Sequence, residues 1–223
     1  MTRATMADSA LLEAIPTEQR LALAYARNPD KPLMLALFLL DARLAATVRG
    51  GREPVLAQIK LAWWREQLAK DAADRPAGEP LLAMLAPLAA EGAALGRMVD
   101  GWEQLLGDSP LPSGALECFA DGRGAAFAAL ARHIGEPAAA PAAERAARGW
   151  ALADLAAKLG QAEERAAALD LAARQDWARI ALPRRLRPLQ VLHGLARRER
   201  GQGPLLAGPG ALLVATRIGL SGF

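Results

Sequence analysis

Apolar residues recur along most of this chain at spacings of three and four, which places them on one face of an α-helix. Proline and glycine interrupt the pattern, and several apolar segments begin with proline, which the first turn of a helix tolerates. We find no convincing β-strand pattern. The spacing predicts helices over residues 17–26, 32–48, 54–71, 80–106, 112–134, 141–175 and 187–200, and a short apolar segment follows at 211–220.

The segments that connect these predicted helices are short, as at residues 28–31 and 107–111. Short connections between long helices place successive helices antiparallel within one bundle. We therefore predict an all-α, single-domain helical bundle. Its parts are an N-terminal lead-in (1–19), a helical domain (20–200) and a Gly/Pro-rich tail (201–223).

Residues 53–68, EPVLAQIKLAWWREQL, carry apolar side chains on two sides of the predicted helix. One arc contains Val55, Leu56, Ile59 and Trp63, and the other contains Leu61, Trp64 and Leu68. A helix that is apolar on two sides is expected to lie between two layers, with both indoles in the core. Glu66 falls beside the first arc, where a carboxylate either reaches solvent at the helix end or needs a polar cavity.

Acidic residues elsewhere give two expectations. Asp41 interrupts an apolar stripe in the predicted helix 32–48. It is either a buried carboxylate paired with an arginine or lysine, or an acid that faces a cavity. Asp100 and Glu103 follow the polar side of an amphipathic helix and are expected on a solvated face.

Composition narrows the class of protein. The chain has 223 residues, of which 52% are hydrophobic and 23% charged, a balance typical of folded globular proteins. A net charge of +3, without aromatic residues among the basic ones, gives no reason to expect a nucleic-acid partner. Cys118, the single cysteine, is expected to pack as a small apolar residue in a reducing compartment.

No signal peptide is visible at the N-terminus, and no apolar run is long enough to span a bilayer. We therefore expect a cytoplasmic protein. The arginine-rich residues 182–200 leave open peripheral contact with the inner face of the membrane or with an acidic partner. The alternative is a core helix whose arginines form a solvated rim, because Leu186, Leu189, Leu192 and Leu195 give it an apolar side.

Several segments together resemble the squalene/phytoene synthase family, whose members are all-helical prenyl transferases with the isoprenoid synthase fold. The likeness is to a divergent branch that includes phytoene-synthase-like assembly factors of respiratory complex I. The segments that carry it are ALFLLDARLAATVRGGREPVLAQIKLAWWREQL (36–68), VDGWEQLL (99–106), CFADGRGAAFAALARHIG (118–135), ARGWALADLAAKL (147–159) and ARIALPRRL (178–186).

Active members of this family hold Mg²⁺ and a prenyl diphosphate between two Asp-rich motifs, because Mg²⁺ needs several carboxylate oxygens to bridge to the diphosphate. The register of the first motif falls here on residues 45–49, AATVR, and the second should follow residues 155–159, where the chain reads GQAEE. The resemblance therefore implies a degenerate pseudoenzyme with no catalytic residue, no metal and no cofactor.

Such a protein would act as a scaffold or assembly factor, with a protein partner in respiratory complex assembly implied by the resemblance alone, or as a binder of a prenyl lipid. The candidate pocket residues are Asp41, Arg49, Trp63, Arg65, Glu66 and Asp100. The alternative is an active transferase of isoprenyl diphosphates with a rearranged Mg²⁺ site. Its carboxylates would come from Asp41, Glu66, Asp100 or Glu103.

Overall fold

A computed structural model describes residues 9–50 and 53–222. This part of the chain consists of α-helices and short 3₁₀ turns without a β-strand, which confirms the all-α prediction. Residues 1–8 of the predicted lead-in, 51–52 and 223 lie outside the described residues. The α-helices are α1 (Thr17–Leu23), α2 (Lys31–Arg49), α3 (Pro54–Ala69), α4 (Pro80–Met84), α5 (Gly92–Glu103), α6 (Ser113–His133), α7 (Ala140–Lys158), α8 (Ala162–Ala173), α9 (Arg187–Glu199) and α10 (Gly210–Ser221).

Two of the predicted helices are broken. The predicted helix 80–106 is divided by a 3₁₀ segment, Ala86–Glu91, which has a proline in its first turn and a non-helical residue at Leu88. The predicted helix 141–175 ends at Lys158 because Leu159 is extended, and α8 begins anew where the side chain of Gln161 accepts a hydrogen bond from a backbone N–H of its first turn. Such an N-cap satisfies a donor that a helix start leaves open.

Helix α6 lies between α5 and α7 and is buried along most of its length. Close packing against α5 depends on glycine. A Cβ atom added at Gly122 would lie 2.3 Å from the carbonyl oxygen of Arg97, and one added at Gly101 would lie 2.8 Å from that of Cys118. Only residues without a Cβ let the two backbones approach so closely. Cys118 itself is exposed, so the prediction that it packs in the core is wrong.

Helix α3 is an edge helix, not a sandwiched one. Its arc of Leu61, Trp64 and Leu68 is buried against the bundle, with α5 as its main neighbour. The other arc is open to solvent: Val55 is 65% exposed, Leu56 51%, Ile59 59% and Trp63 37%. The prediction that both tryptophans lie in the core is therefore wrong for Trp63, which packs edge-to-face on Trp64 with ring centroids 5.1 Å apart.

Helix α9 is a core helix, as one of the two interpretations expected. Its leucines are buried against α7 and α10, and α10 also contacts α1. Two arginines, one in the 3₁₀ turn before α9 and one at its first residue, have partners inside the fold. Arg185 donates to Asp30 at 2.9 Å, and Arg187 donates to Gln190 at 2.8 Å. None of the helices in the described ranges has the combined length and apolarity that a membrane crossing needs.

Candidate functional site

A cavity of about 650 Å³ lies between α2, α6, α7 and the residues around the start of α1. Small and aliphatic side chains make up much of its wall, among them Ala42, Ala45, Val48, Leu105, Leu111, Leu155 and Leu159. One side of the wall is lined by residues 45, 46, 48 and 49, where the sequence resemblance would place the first Asp-rich motif. Residues 155, 158 and 159 line it too, and so does Glu164, the one lining residue of the segment 160–164 where the second motif would lie.

A buried arginine on α6 organises the polar part of the cavity. Arg123 is only 2% exposed. Its Nη2 donates to Asp41 Oδ2 at 2.9 Å and to Asp41 Oδ1 at 3.1 Å. Asp41 accepts two further hydrogen bonds, from Trp102 Nε1 at 2.9 Å and from Gln19 Nε2 at 3.3 Å. The interpretation of Asp41 as a paired buried carboxylate therefore matches its contacts, and Asp41 also lines the cavity.

A second carboxylate completes the network. Asp154 on α7 is 5% exposed and accepts from Arg123 Nη1 at 3.4 Å and from Lys158 Nζ at 2.6 Å. Lys158 also lies 3.4 Å from Glu18 Oε1. Two cations thus balance the two buried acids, so that neither carboxylate is left as an uncompensated charge.

Aromatic rings enclose the guanidinium of Arg123. Its central carbon lies 4.3 Å from the centroid of Trp150, 4.7 Å from that of Phe119 and 5.8 Å from that of Trp102. The negative faces of aromatic rings stabilise a cation at such distances, most strongly where water is excluded. The cation is therefore fixed in place by carboxylates and rings together.

The donor set does not fit a Mg²⁺ ion. All four oxygens of Asp41 and Asp154 accept hydrogen bonds or ion pairs from protein groups, and Arg123 lies between the two acids. Mg²⁺ prefers carboxylate oxygens in a near-octahedral arrangement and is repelled by a neighbouring cation. No group of three or more His, Cys, Asp or Glu side chains in the described parts of the chain is placed to hold a metal ion.

A third acid at the cavity wall, Glu164, binds a loop instead of Arg123. Glu164 on α8 is 7% exposed, and its Oε1 accepts from Ser109 Oγ at 2.7 Å and from the backbone N–H of Leu111 at 3.0 Å. These bonds fasten the loop between α5 and α6 to the start of α8. The carboxylate thereby holds one wall of the cavity in place.

The structure separates the candidate pocket residues into two groups. Asp41 and Arg49 line the cavity, whereas Trp63, Arg65, Glu66 and Asp100 do not. The structure therefore does not bring these four candidates together with Asp41. They lie along the α3–α5 side of the bundle, because α3 turns the arc of Val55, Leu56, Ile59 and Trp63 outward.

The polar residues of α3 form surface ion pairs. Arg65 Nε donates to Asp100 at 2.5 Å, and the same guanidinium binds Glu103. Lys70 Nζ lies 2.8 Å from Glu66, and its hydrogen bond lowers the pKa of that carboxyl. Glu66 therefore reaches solvent at the helix end, which is one of the two interpretations that its position allowed.

The central residues of the network, Arg123 and Asp154, are absent from the sequence-based candidates. A signal for Arg123 exists, because it is the one charged residue in the run GRGAAFAALA, whose other members are small or apolar. A cation in a helix buried on all sides needs a buried counter-charge. The identity of that counter-charge depends on which helices are neighbours, and the sequence pattern does not supply this.

Comparisons with protein-family models, with curated proteins and with solved structures return no match to this chain. The resemblance to the squalene/phytoene synthase family therefore rests on the five sequence segments that carry it, and the function that it implies is a proposal.

Proposed function

We propose that this chain is a degenerate squalene/phytoene synthase-like protein of the isoprenoid synthase type that does not catalyse prenyl transfer. Its central cavity binds an apolar chain, such as the prenyl tail of a lipid, and the protein acts as a scaffold or assembly factor. The observation that carries the proposal is the make-up of the cavity wall. Alanine, valine and leucine provide most of the lining residues where a metal-chelating wall would be needed. Asp41 and Asp154 are bound to Arg123 and Lys158, and Glu164 is bound to Ser109 and Leu111.

The cavity suits an apolar ligand on physical grounds. Ligand sites of several hundred Å³ bury most of a small ligand, and apolar lining drives this burial. Each methylene group removed from water contributes about 0.8 kcal/mol. The charged residues Arg49 and Lys158, both exposed, line the same cavity and would meet a polar end of the ligand.

A scaffold role has separate support on α3. Four apolar side chains of its outer arc, Val55, Leu56, Ile59 and Trp63, are at least one-third exposed. Contiguous exposed apolar side chains commonly mark surfaces that bind other proteins. We assign this arc to a protein partner, in keeping with the assembly role that the resemblance implies.

A binding experiment tests the apolar cavity directly. Geranylgeraniol, which has the prenyl chain without the diphosphate, is titrated into the protein and followed by tryptophan fluorescence. Ala46→Phe places a ring at the exposed edge of the cavity, and we expect it to weaken binding by about tenfold or more, because it displaces at least two methylene groups. Ala93→Phe, at an exposed position of α5 outside the cavity wall, is the matched control and should bind as wild type.

A second assay tests the absence of catalysis. The protein is incubated with farnesyl or geranylgeranyl diphosphate and Mg²⁺, and release of pyrophosphate is measured. We expect none above a protein-free control. Pyrophosphate release that requires Mg²⁺ and disappears in Asp41→Ala would reject the proposal in favour of an active transferase, and equal geranylgeraniol binding by Ala46→Phe and wild type would reject the apolar cavity site.

A further inference from the structure

A second cavity, of about 280 Å³, lies between α9, α10 and residues 179–180. Five arginines contribute to its wall, and no aspartate or glutamate is among the described residues that line it. These arginines are Arg179, Arg197, Arg198, Arg200 and Arg217. We call this cavity the arginine pocket. It shares no lining residue with the central cavity, so the two sites are independent.

Three of these cations have no counter-charge in the described parts of the chain. Arg198 binds Glu199 and the carbonyl of Ala207. Arg197, Arg200 and Arg217 form no ion pair within residues 9–50 and 53–222. Arginines that gather around one concave site without acids between them create a positive potential that attracts an anion.

The walls of the pocket are held in place by buried contacts. Gln190, which is 5% exposed, donates to the carbonyls of Ile180 at 3.2 Å and Gly222 at 2.8 Å. Helices α9 and α10 touch closely at Gly194, where an added Cβ would lie 2.1 Å from Ile218 Cδ1. One amide thus connects two walls of the pocket, and the side chain of Ile218 fills the space that Gly194 leaves open.

A buried histidine lines the same pocket without a well-formed hydrogen bond. His193 is 4% exposed, and neither of its ring nitrogens has a hydrogen-bond partner of good geometry among the described residues. Its ring stacks on Trp177, with centroids 5.7 Å apart. Backbone groups of Ala146 and Ala178 lie near the ring, and a neutral imidazole can donate one N–H to an oxygen acceptor.

We propose that the arginine pocket binds a phosphate monoester group, with Arg197 and Arg217 as its charged ligands and His193 as an additional hydrogen-bond donor. The planar guanidinium donates two parallel hydrogen bonds to phosphate oxygens, which distinguishes it from a simple point charge. The phosphate belongs either to a free phosphorylated compound or to the headgroup of an anionic lipid. Exposed leucines on α10, Leu212, Leu213 and Leu220, favour the lipid, because they would enter the apolar layer beside the headgroup.

Proton NMR provides a readout specific to the pocket, because the chain has only two histidines. Glycerol 3-phosphate is added at constant pH and ionic strength, and the imidazole C–H signals are followed. We expect a saturable shift for His193 and none for His133, which is exposed and does not line the pocket. His133→Gln assigns the two signals.

Variants of equal net charge distinguish binding in the arginine pocket from nonspecific attraction of the phosphate to a basic protein. Arg197→Gln/Arg217→Gln removes two pocket ligands and should raise the Kd by about tenfold or more, because charge-assisted hydrogen bonds are lost. Arg97→Gln/Arg145→Gln removes the same charge at exposed positions outside the pocket and should bind as wild type. Far-ultraviolet circular dichroism verifies that all variants are folded.

A vesicle-binding experiment identifies the source of the phosphate group. The same proteins are sedimented with vesicles of phosphatidylcholine alone or with phosphatidic acid added. If wild type binds phosphatidic acid vesicles and only Arg197→Gln/Arg217→Gln loses this binding, the proposal is supported with a lipid as the source of the phosphate. If wild type binds glycerol 3-phosphate but not the vesicles, and only that double variant loses the binding, the proposal is supported with a free compound as the source. The proposal is overturned if wild type binds neither, or if the two double variants lose binding equally.

Discussion

Replacing Arg123 with methionine tests the account of the central network. Methionine keeps the apolar part of the side chain and removes the guanidinium. In the variant, Asp41 retains Trp102 and Gln19 as donors, and Asp154 retains Lys158. Both carboxylates stay buried, but they lose the cation that lies between them.

The expected loss of stability is large. Removal of one partner from a buried ion pair costs about 3–5 kcal/mol, because the remaining charge is buried without compensation. Both acids keep other hydrogen-bond or ion-pair donors in Arg123→Met, so we expect a loss near the lower end of this range, about 3 kcal/mol. Arg132→Met breaks an exposed pair with Glu91, in which the arginine side chain is 43% exposed, and should cost less than about 1 kcal/mol.

Urea unfolding followed by far-ultraviolet circular dichroism measures these free energies, provided that the slope of the transition is unchanged. Adding Asp41→Asn to Arg123→Met removes one uncompensated charge and should restore about 1 kcal/mol or more relative to Arg123→Met alone. If Arg123→Met costs no more than Arg132→Met, the reasoning that this arginine neutralises two buried acids is refuted.

Three further predictions use the same unfolding assay, and the first two compare paired variants. Gly122→Ala should destabilise the fold by about 1–3 kcal/mol, because its Cβ would meet the backbone of α5. Gly96→Ala adds a Cβ that meets nothing within 4 Å and should stabilise the fold by about 0.5–1 kcal/mol. Equal effects of the two variants would contradict the close approach of α5 and α6. Trp64→Ala should cost about 3–5 kcal/mol and Trp63→Ala about 1 kcal/mol or less, and a reversed order would contradict the outward arc of α3. Burial lowers the pKa of His193 below 6.5 and outweighs the opposite effect of nearby backbone groups. The unfolded chain therefore binds this proton more readily than the folded chain, and the free energy of unfolding should fall as the pH drops below about 6.5. His193→Gln should remove that part of the pH dependence, and an unchanged pH profile would show that the imidazole is not buried in its neutral form.

The helical architecture could be predicted because it depends on local geometry. Spacings of three and four residues, together with proline at first turns, indicate helices wherever they occur. The helix starts at Pro54 and Pro80 match the predicted ones. The breaks near Leu88 and Leu159 could not be predicted with the same certainty, since short connections inside an alanine-rich stretch change the periodicity very little.

Burial could be predicted only in part, because periodicity shows which faces of a helix are apolar but not how many neighbours the helix has. The two arcs of α3 look equivalent in the sequence, yet the Trp64 arc faces the bundle and the Trp63 arc faces solvent. The position of α3 at the edge of the bundle decides between them. For this reason the sequence pattern alone does not show which arc of α3 faces the bundle.

Residue spacing and identity alone indicate a helical chain, an apolar stripe interrupted by Asp41, and a segment 45–49 without acids. The partner of Asp41 is Arg123, which lies 82 residues away along the chain and is brought to it by the packing of α2 against α6 and α7 in the folded bundle. Helix formation depends on hydrogen bonds between residues four apart, so short stretches of sequence are enough to predict it. Pairing of buried charges depends on which helices pack together, and this is a property of the whole bundle.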